Sequence, residues 1–290
     1  KTAISLYENG MCTKTEAERL LSFCNNSGPA FILGVVGAGI FSSSRIGVLL
    51  YLAHAAASVC IGLLFRFYKA GGRGTGRRTN SRPRFEAKHF AAAFTGSVKS
   101  SFFSTLNICA FVIFFTVVIR LLFLSGVLPG IAQLLGLLLS PLGVTETWAE
   151  RLLTGALEIS SGVWTLSGEG ALAGRLSAAA FMLGWAGLSV HCQVLSFIGD
   201  SGLSVRTYIT GKLLHGGLSV LFAGVLSRVF LLEEPVSVYL AEQVAGLADL
   251  DFHTAITIST VCAWVVFLFF LIVAALAMRK YTGKRYKSVI

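Results

Sequence analysis

Charge is scarce in this sequence. Asp and Glu number 14 and Lys and Arg 24, so that charged residues make up only 13% of the 290 positions, whereas 54% are apolar and the mean hydropathy is +0.75. Too few polar side chains remain to cover a water-soluble globule of this length, and the chain is read as belonging in a bilayer. Catalytic signatures are missing too. No HExxH, nucleophile elbow or pair of carboxylates at catalytic spacing is present, so an enzyme is not expected; no Walker or dinucleotide fingerprint is present, which speaks against ATP-driven transport by this chain itself. The six cysteines (Cys12, Cys24, Cys60, Cys109, Cys192 and Cys262) show no CxxC and no Cys/His ligand spacing. They read as small core residues, and neither a metal nor a cofactor is expected.

What fills the chain instead is a set of apolar runs. Five of them, residues 46–65, 102–124, 176–198, 207–232 and 256–278, have the length that a hydrocarbon core of about 30 Å demands. Residues 27–41 and 128–142 are shorter candidates. The net charge of +10 is placed for topology rather than for nucleic acid. Arg66, Lys69, Arg73, Arg77, Arg78, Arg82, Arg84 and Lys88 crowd one Gly-rich connector, and Arg279, Lys280, Lys284, Arg285 and Lys287 follow the last run. Between Val229 and Met278 there is no Lys or Arg, while Glu233, Glu234, Glu242, Asp249 and Asp251 cluster there. By the positive-inside rule the connector and the tail lie in the cytoplasm and the acidic loop lies outside; the connector reads as a solvated topology signal, with contact to anionic lipid headgroups as the alternative.

The sequence repeats itself at an offset of 161 positions, residues 17–64 lying over 178–225 without a gap. Arg45, His54, Ser58 and Val59 meet Arg206, His215, Ser219 and Val220; Ala17/Ala178, Ser43/Ser204 and Leu52/Leu213 match alongside. Threading the apolar runs through the charge rule makes the two copies cross the membrane in opposite senses. The expected fold is therefore an all-α integral membrane protein built on an inverted-topology repeat with broken or re-entrant segments, the arrangement that points to a secondary transporter. Residues 1–66 form the first copy, opening with an inside-facing amphipathic lead-in over 1–22. Residues 67–100 are a basic cytoplasmic linker, and 101–290 hold the second copy and a final span. Three segments (102–124, 128–142 and 151–166) precede the second copy's repeated block but have no counterparts before the first. Their partners would lie upstream of Lys1, so the sequence is expected to be a truncated piece lacking on the order of 100 residues.

Polar interruptions of the apolar runs mark the candidate site. Pro29 lacks an N–H and disfavours helix at Gly28, so the chain should unwind there, leaving Asn25, Asn26 and Ser27 to cap the next helix or to face a ligand. Residues 152–166 (LLTGALEISSGVWTL) are interrupted by Glu158, Ser160, Ser161 and Gly162, which reads as a broken helix, tolerated only inside protein or beside a watery cavity. Glu158 is an ionisable group in an apolar segment and thus a candidate for holding a coupling Na⁺ or H⁺, or else a loop-end residue at the interface. In the second copy Ser189, His191 and Gln193 take the place of the asparagines. His54, His215, Ser58 and Ser219 lie among small residues and read as close helix packing.

The stretches TKTEAERLLSFCNNSGPAFILGVVGAGIF (13–41), EISSGVWTL (158–166) and GWAGLSVHCQVLSFI (184–198) resemble the YlbJ (SpoVV) family of sporulation integral membrane proteins. That family carries paired nucleoside-recognition Gate domains and is similar to concentrative nucleoside transporters. The resemblance implies a spore former, a forespore membrane and dipicolinic acid, a pyridine dicarboxylate, as solute. The family's Gly-Tyr-Pro-Ser-Gly type of re-entrant motif has no counterpart in this sequence. For an aromatic dianion an arginine fork is the expected recognition element, which makes Arg45 and Arg206 candidate gate residues, with snorkelling anchors as the plainer reading. The expected partners are the lipid bilayer and a small anionic solute. Two other readings stand beside the anion transporter: a non-transporting assembly or scaffold protein of the spore envelope, and a nucleoside-type transporter.

Overall fold

A computed structural model describes residues 2–69, 90–168 and 170–230, together with Trp264, Phe267 and Leu268. The basic cluster over 73–88, the acidic loop, the basic tail and all but three residues of the last apolar run lie outside the described residues. Regular structure among the described residues is helical, without a strand: α1 (Thr2–Glu8), α2 (Lys14–Cys24), a π-helical stretch (Phe31–Ile40), α3 (Ser44–Phe65), α4 (Phe90–Leu124), α5 (Val127–Leu139), α6 (Glu146–Leu157), α7 (Ile159–Trp164), α8 (Leu172–Trp185), α9 (Gly187–Ile198) and α10 (Val205–Val229). Among the described residues, four stretches are long and apolar enough to cross a membrane: Ser44–Phe65, Ala92–Leu124, Leu172–Ile198 and Val205–Val229. Two units divide the chain at Leu232. In the second, Trp264 and Phe267 are exposed, their rings edge to face at 5.8 Å.

Local chemistry sets the helix ends. Thr13 and Glu16 close a capping box at the start of α2, the Glu16 carboxylate accepting from the Thr13 N–H at 2.7 Å. Ser43 caps α3 through the Ile46 N–H. Residues 1–22, read as a lead-in, are integral to the fold: α2 is the counterpart of α8, Glu18 and Ser22 on it are buried, and α1 packs beneath it through Ala3 and Ile4. The run 176–198, read as one crossing, is α8 and α9 separated by Ala186, which like Gly187 at the start of α9 is left-handed, at φ 75° and 79°. Helix α4 begins at Phe90, ahead of its apolar run, where Ala91, Ala92 and Ala93 favour helix and outweigh Gly96. Much of its large apolar surface, Phe102, Phe103, Ile113, Phe114 and Leu121 included, is exposed, as a lipid-facing helix requires.

The repeat survives in three dimensions. Helices α3 and α10 begin 161 positions apart, and α2 and α8 end 161 positions apart. Helix α2 runs antiparallel to α3, with Arg19 donating to the Tyr68 carbonyl and Ser58 to the Phe23 carbonyl at 3.0 Å. It runs parallel to α10: Glu18 pairs with Ser204, Ser22 abuts Gly211, and Asn25 meets Tyr208 and Lys212. Helices α3 and α10 are therefore antiparallel, the sense that an inverted repeat demands. Small residues bring these helices together. A methyl group on Gly184 would lie 2.6 Å from the Gly216 Cα, and one on Gly37 would lie 2.4 Å from the Gly47 Cα.

Candidate functional site

Three helix breaks converge on one buried region. The first spans residues 25–28, where α2 gives way ahead of Pro29. The second is Glu158, which ends α6 and opens α7. The third is at Ala186–Gly187, where α8 gives way to α9. Ser27 donates to the Leu183 carbonyl at 3.4 Å, tying the first break to the end of α8. Gly187 lies so close to the second break that a methyl group there would sit 3.1 Å from the Ile159 nitrogen. The Trp185 indole N–H donates to the Ala156 carbonyl at 3.3 Å.

Across this junction α10 lays a polar stripe. Tyr208, Lys212, His215 and Ser219 follow one another at intervals of four, three and four residues, so they share one face of the helix, and each is at most 1% exposed. The Tyr208 hydroxyl receives the Asn25 amide at 3.0 Å and lies 3.1 Å from the His191 Nδ1. The Lys212 ammonium donates to the Asn25 carbonyl at 2.9 Å, and no carboxylate among the described residues pairs with it. Trp185 sets its ring edge-on to His191 at 4.3 Å. The His191 Nε2 and the Ser189 hydroxyl are buried without a hydrogen-bond partner among the described residues. A lysine amine, an aromatic hydroxyl, an amide and an imidazole are thus gathered at one place, a set of donors suited to an anion. Its repeat counterpart holds nothing comparable, for Gly47 stands opposite Tyr208, Tyr51 opposite Lys212 and Ala186 opposite Asn25.

The expected site residues divide accordingly. Asn25 and His191 join Tyr208 and Lys212, and Ser189 lies buried on the same short helix as His191. Asn26 turns away to donate to the Ser58 hydroxyl at 2.9 Å. Gln193 is half-buried on α9. Glu158 is fully buried and acts as a cap: its two carboxylate oxygens accept from the Ser160 and Ser161 N–H groups at 2.9 and 2.6 Å. The Ser161 hydroxyl lies 3.4 Å from that of Thr116 on α4. Arg45 and Arg206 are exposed in the first turns of α3 and α10, at opposite ends of the antiparallel pair. His54 and His215 pack ring against ring at 4.4 Å.

Sequence reasoning missed Lys212, Tyr208 and Glu18. An intramembrane lysine is a signal in its own right, and the four-three-four spacing through His215 and Ser219 would have drawn Tyr208 with it. Glu18 sits where α2, α3 and α10 meet at the end that leads into the basic connector. Its carboxylate accepts the Ser204 N–H at 3.0 Å and faces the Lys69 ammonium at 3.7 Å. The Tyr68 hydroxyl, accepting from Thr207, and then the Glu18 carboxylate hold the Lys69 ammonium above its ordinary pKa.

No family model matches the chain, and no solved structure matches it. It is similar to the sporulation integral membrane protein YlbJ of Bacillus subtilis (strain 168), with 27% identity over 242 residues that cover 78% of this chain and 59% of that protein. The chain spans less than two thirds of the relative's length. The all-helical fold and four membrane-length apolar stretches of the described residues, with this likeness, make it an integral membrane protein similar to one of sporulation.

Proposed function

We propose that this chain forms the solute-binding part of a secondary transporter for a small anionic solute, dipicolinate moved across a forespore membrane being the solute and place that the family resemblance implies. One observation carries the reading. Lys212 is completely buried in a span, where an ammonium costs on the order of 3 kcal/mol, yet it rests on a carbonyl oxygen at a helix break instead of on a carboxylate. A buried lysine with no carboxylate partner among the described residues, at the junction of three helix breaks, is a place for an anion to complete. A solute carboxylate arriving there meets the ammonium first, then the Tyr208 hydroxyl and the Asn25 amide, while His191 and Trp185 offer aromatic surface. The antiparallel copies supply the two arrangements that alternating access needs.

The test is dipicolinate accumulation in sporulating cells. Lys212→Met in the full-length protein should lower accumulation by tenfold or more with the protein still in the membrane, since exchanging a buried charge for an apolar chain of similar size seldom costs stability. Asn26→Ala, which removes the tie to Ser58, should lower it by a smaller factor. Normal accumulation in both variants would favour the scaffold reading.

A further inference from the structure

A second cluster of buried polar groups lies beside the anion site, on the axis between the copies. His54 is 2% and His215 0% exposed. Neither ring nitrogen of His54, nor the Nδ1 of His215, nor the Ser219 hydroxyl has a hydrogen-bond partner among the described residues. The His215 Nε2 lies 3.0 Å from the His54 carbonyl oxygen, the sole bond that either ring makes among the described residues. Close packing alone would be served better by alanine, because each unpartnered buried polar atom forfeits the hydrogen bonds it made with water.

Building on the transporter reading, we propose that His54 and His215 are the proton-carrying pair of this transporter and that Lys212 links their proton to the anion. Lys212 lies three residues before His215 on the same face of α10, so the ammonium and the two imidazoles share one electrostatic neighbourhood. Among the described residues, the other groups around it are neutral. From α9 comes His191, from α10 itself Tyr208, and from α2 the Asn25 backbone; Gly184 and Phe181 of α8 bring no charge, and the acid of α2, Glu18, is spent at the Ser204 end.

With Lys212 protonated and no solute present, an imidazolium at His54 or His215 would stand beside a like charge, an arrangement that a poorly screened interior disfavours. A solute dianion on Lys212 removes that repulsion. One imidazole then takes up one proton from water on the side to which the site is open. The loaded site holds the lysine cation, one imidazolium and two carboxylates, for a net charge of zero, and a neutral assembly crosses the occluded state at least electrostatic cost. On the other side the anion leaves, the like charges again face each other, and the proton departs.

The experiment uses the intact protein in liposomes containing pyranine, with dipicolinate as the probe and the membrane potential clamped at zero. Two readouts are taken: exchange of labelled for unlabelled dipicolinate at equal pH, and accumulation against a gradient with the lumen alkaline. Wild type should exchange, acidify the lumen as dipicolinate enters and, for one proton per solute, accumulate about tenfold per pH unit. The double variant His54→Gln/His215→Gln should exchange above the protein-free background yet lose gradient-driven accumulation. Each single His→Asn variant should lower the accumulation ratio. Wild-type exchange with no response to the pH gradient overturns the proton pair and leaves the transporter reading standing. So does a double variant that accumulates as wild type does. Absence of wild-type exchange overturns both.

Discussion

His54 and His215, equivalent positions of the two copies, meet ring to ring at 4.4 Å, with the His215 Nε2 3.0 Å from the His54 carbonyl oxygen. Equivalent residues touch each other only where a two-fold relation passes between them, so this contact locates the axis that relates the copies, at the crossing of α3 and α10. Lys212, one turn away on α10, stands just off that axis and has no basic counterpart in the other copy. The polar junction is single although the scaffold is double.

Packing at the axis depends on glycine. The Gly184→Val substitution drives side-chain atoms into the Gly216 backbone, which has nowhere to move. It should lower the melting temperature of the detergent-solubilised protein by several degrees, in line with an overpacking cost of about 1–3 kcal/mol. Gly217→Ala, next in the chain to Gly216 but facing open space, should leave it unchanged or raise it slightly through helix propensity. Equal effects of the two would refute the close approach of α8 and α10.

Capping by Glu158 is a separate matter from binding. Removing both acceptor oxygens with Glu158→Ala leaves the Ser160 and Ser161 N–H groups unsatisfied at the start of α7. The cost should be about 1–2 kcal/mol, read as a lower midpoint in thermal or denaturant unfolding, and dipicolinate accumulation should fall with it. Glu158→Gln keeps one acceptor and should sit between wild type and Glu158→Ala in both measurements. A midpoint for Glu158→Ala equal to that of wild type would deny the carboxylate its capping role.

At the other end of α10, Glu18 ties three helices together. Glu18→Ala should speed amide hydrogen exchange around Ser204 by about tenfold or more, because the part-buried Ser204 N–H loses its acceptor. Lys69→Ala should change it little, since that side chain is 56% exposed and its pairing is screened by water. Protection at Ser204 unchanged by Glu18→Ala would show that the N–H has another acceptor.

Much of the fold was legible in the sequence because hydropathy, charge placement and the repeat are one-dimensional signals. Residues 46–65 became a helix near their expected bounds, the chain unwound over 25–28 ahead of Pro29, and the interruption at Glu158 became a break. The junction was harder to see, because it is assembled from positions as far apart as Asn25 and Lys212. Asn25 and His191 stood out as polar residues at or near interruptions, but Lys212 and Tyr208 lie within an unbroken helix whose polar face has meaning only once α2 is packed along it. Glu18 hid among charged neighbours in an amphipathic segment, and burial alone sets it apart from Glu16. The break at Ala186 carries no proline. It follows from two consecutive left-handed residues, a conformation that Gly187 permits and Ala186 does not advertise.

The central claim, two copies lying upside down to each other in the membrane, is tested most directly by sidedness of labelling. In the full-length protein with its native cysteines replaced, Ser44→Cys and Val205→Cys place single thiols at equivalent, exposed starts of α3 and α10. With a membrane-impermeant maleimide, Ser44→Cys should label in intact cells and Val205→Cys only in inverted vesicles. Labelling of both from the same side of the membrane would contradict the inverted repeat and the transport account built on it.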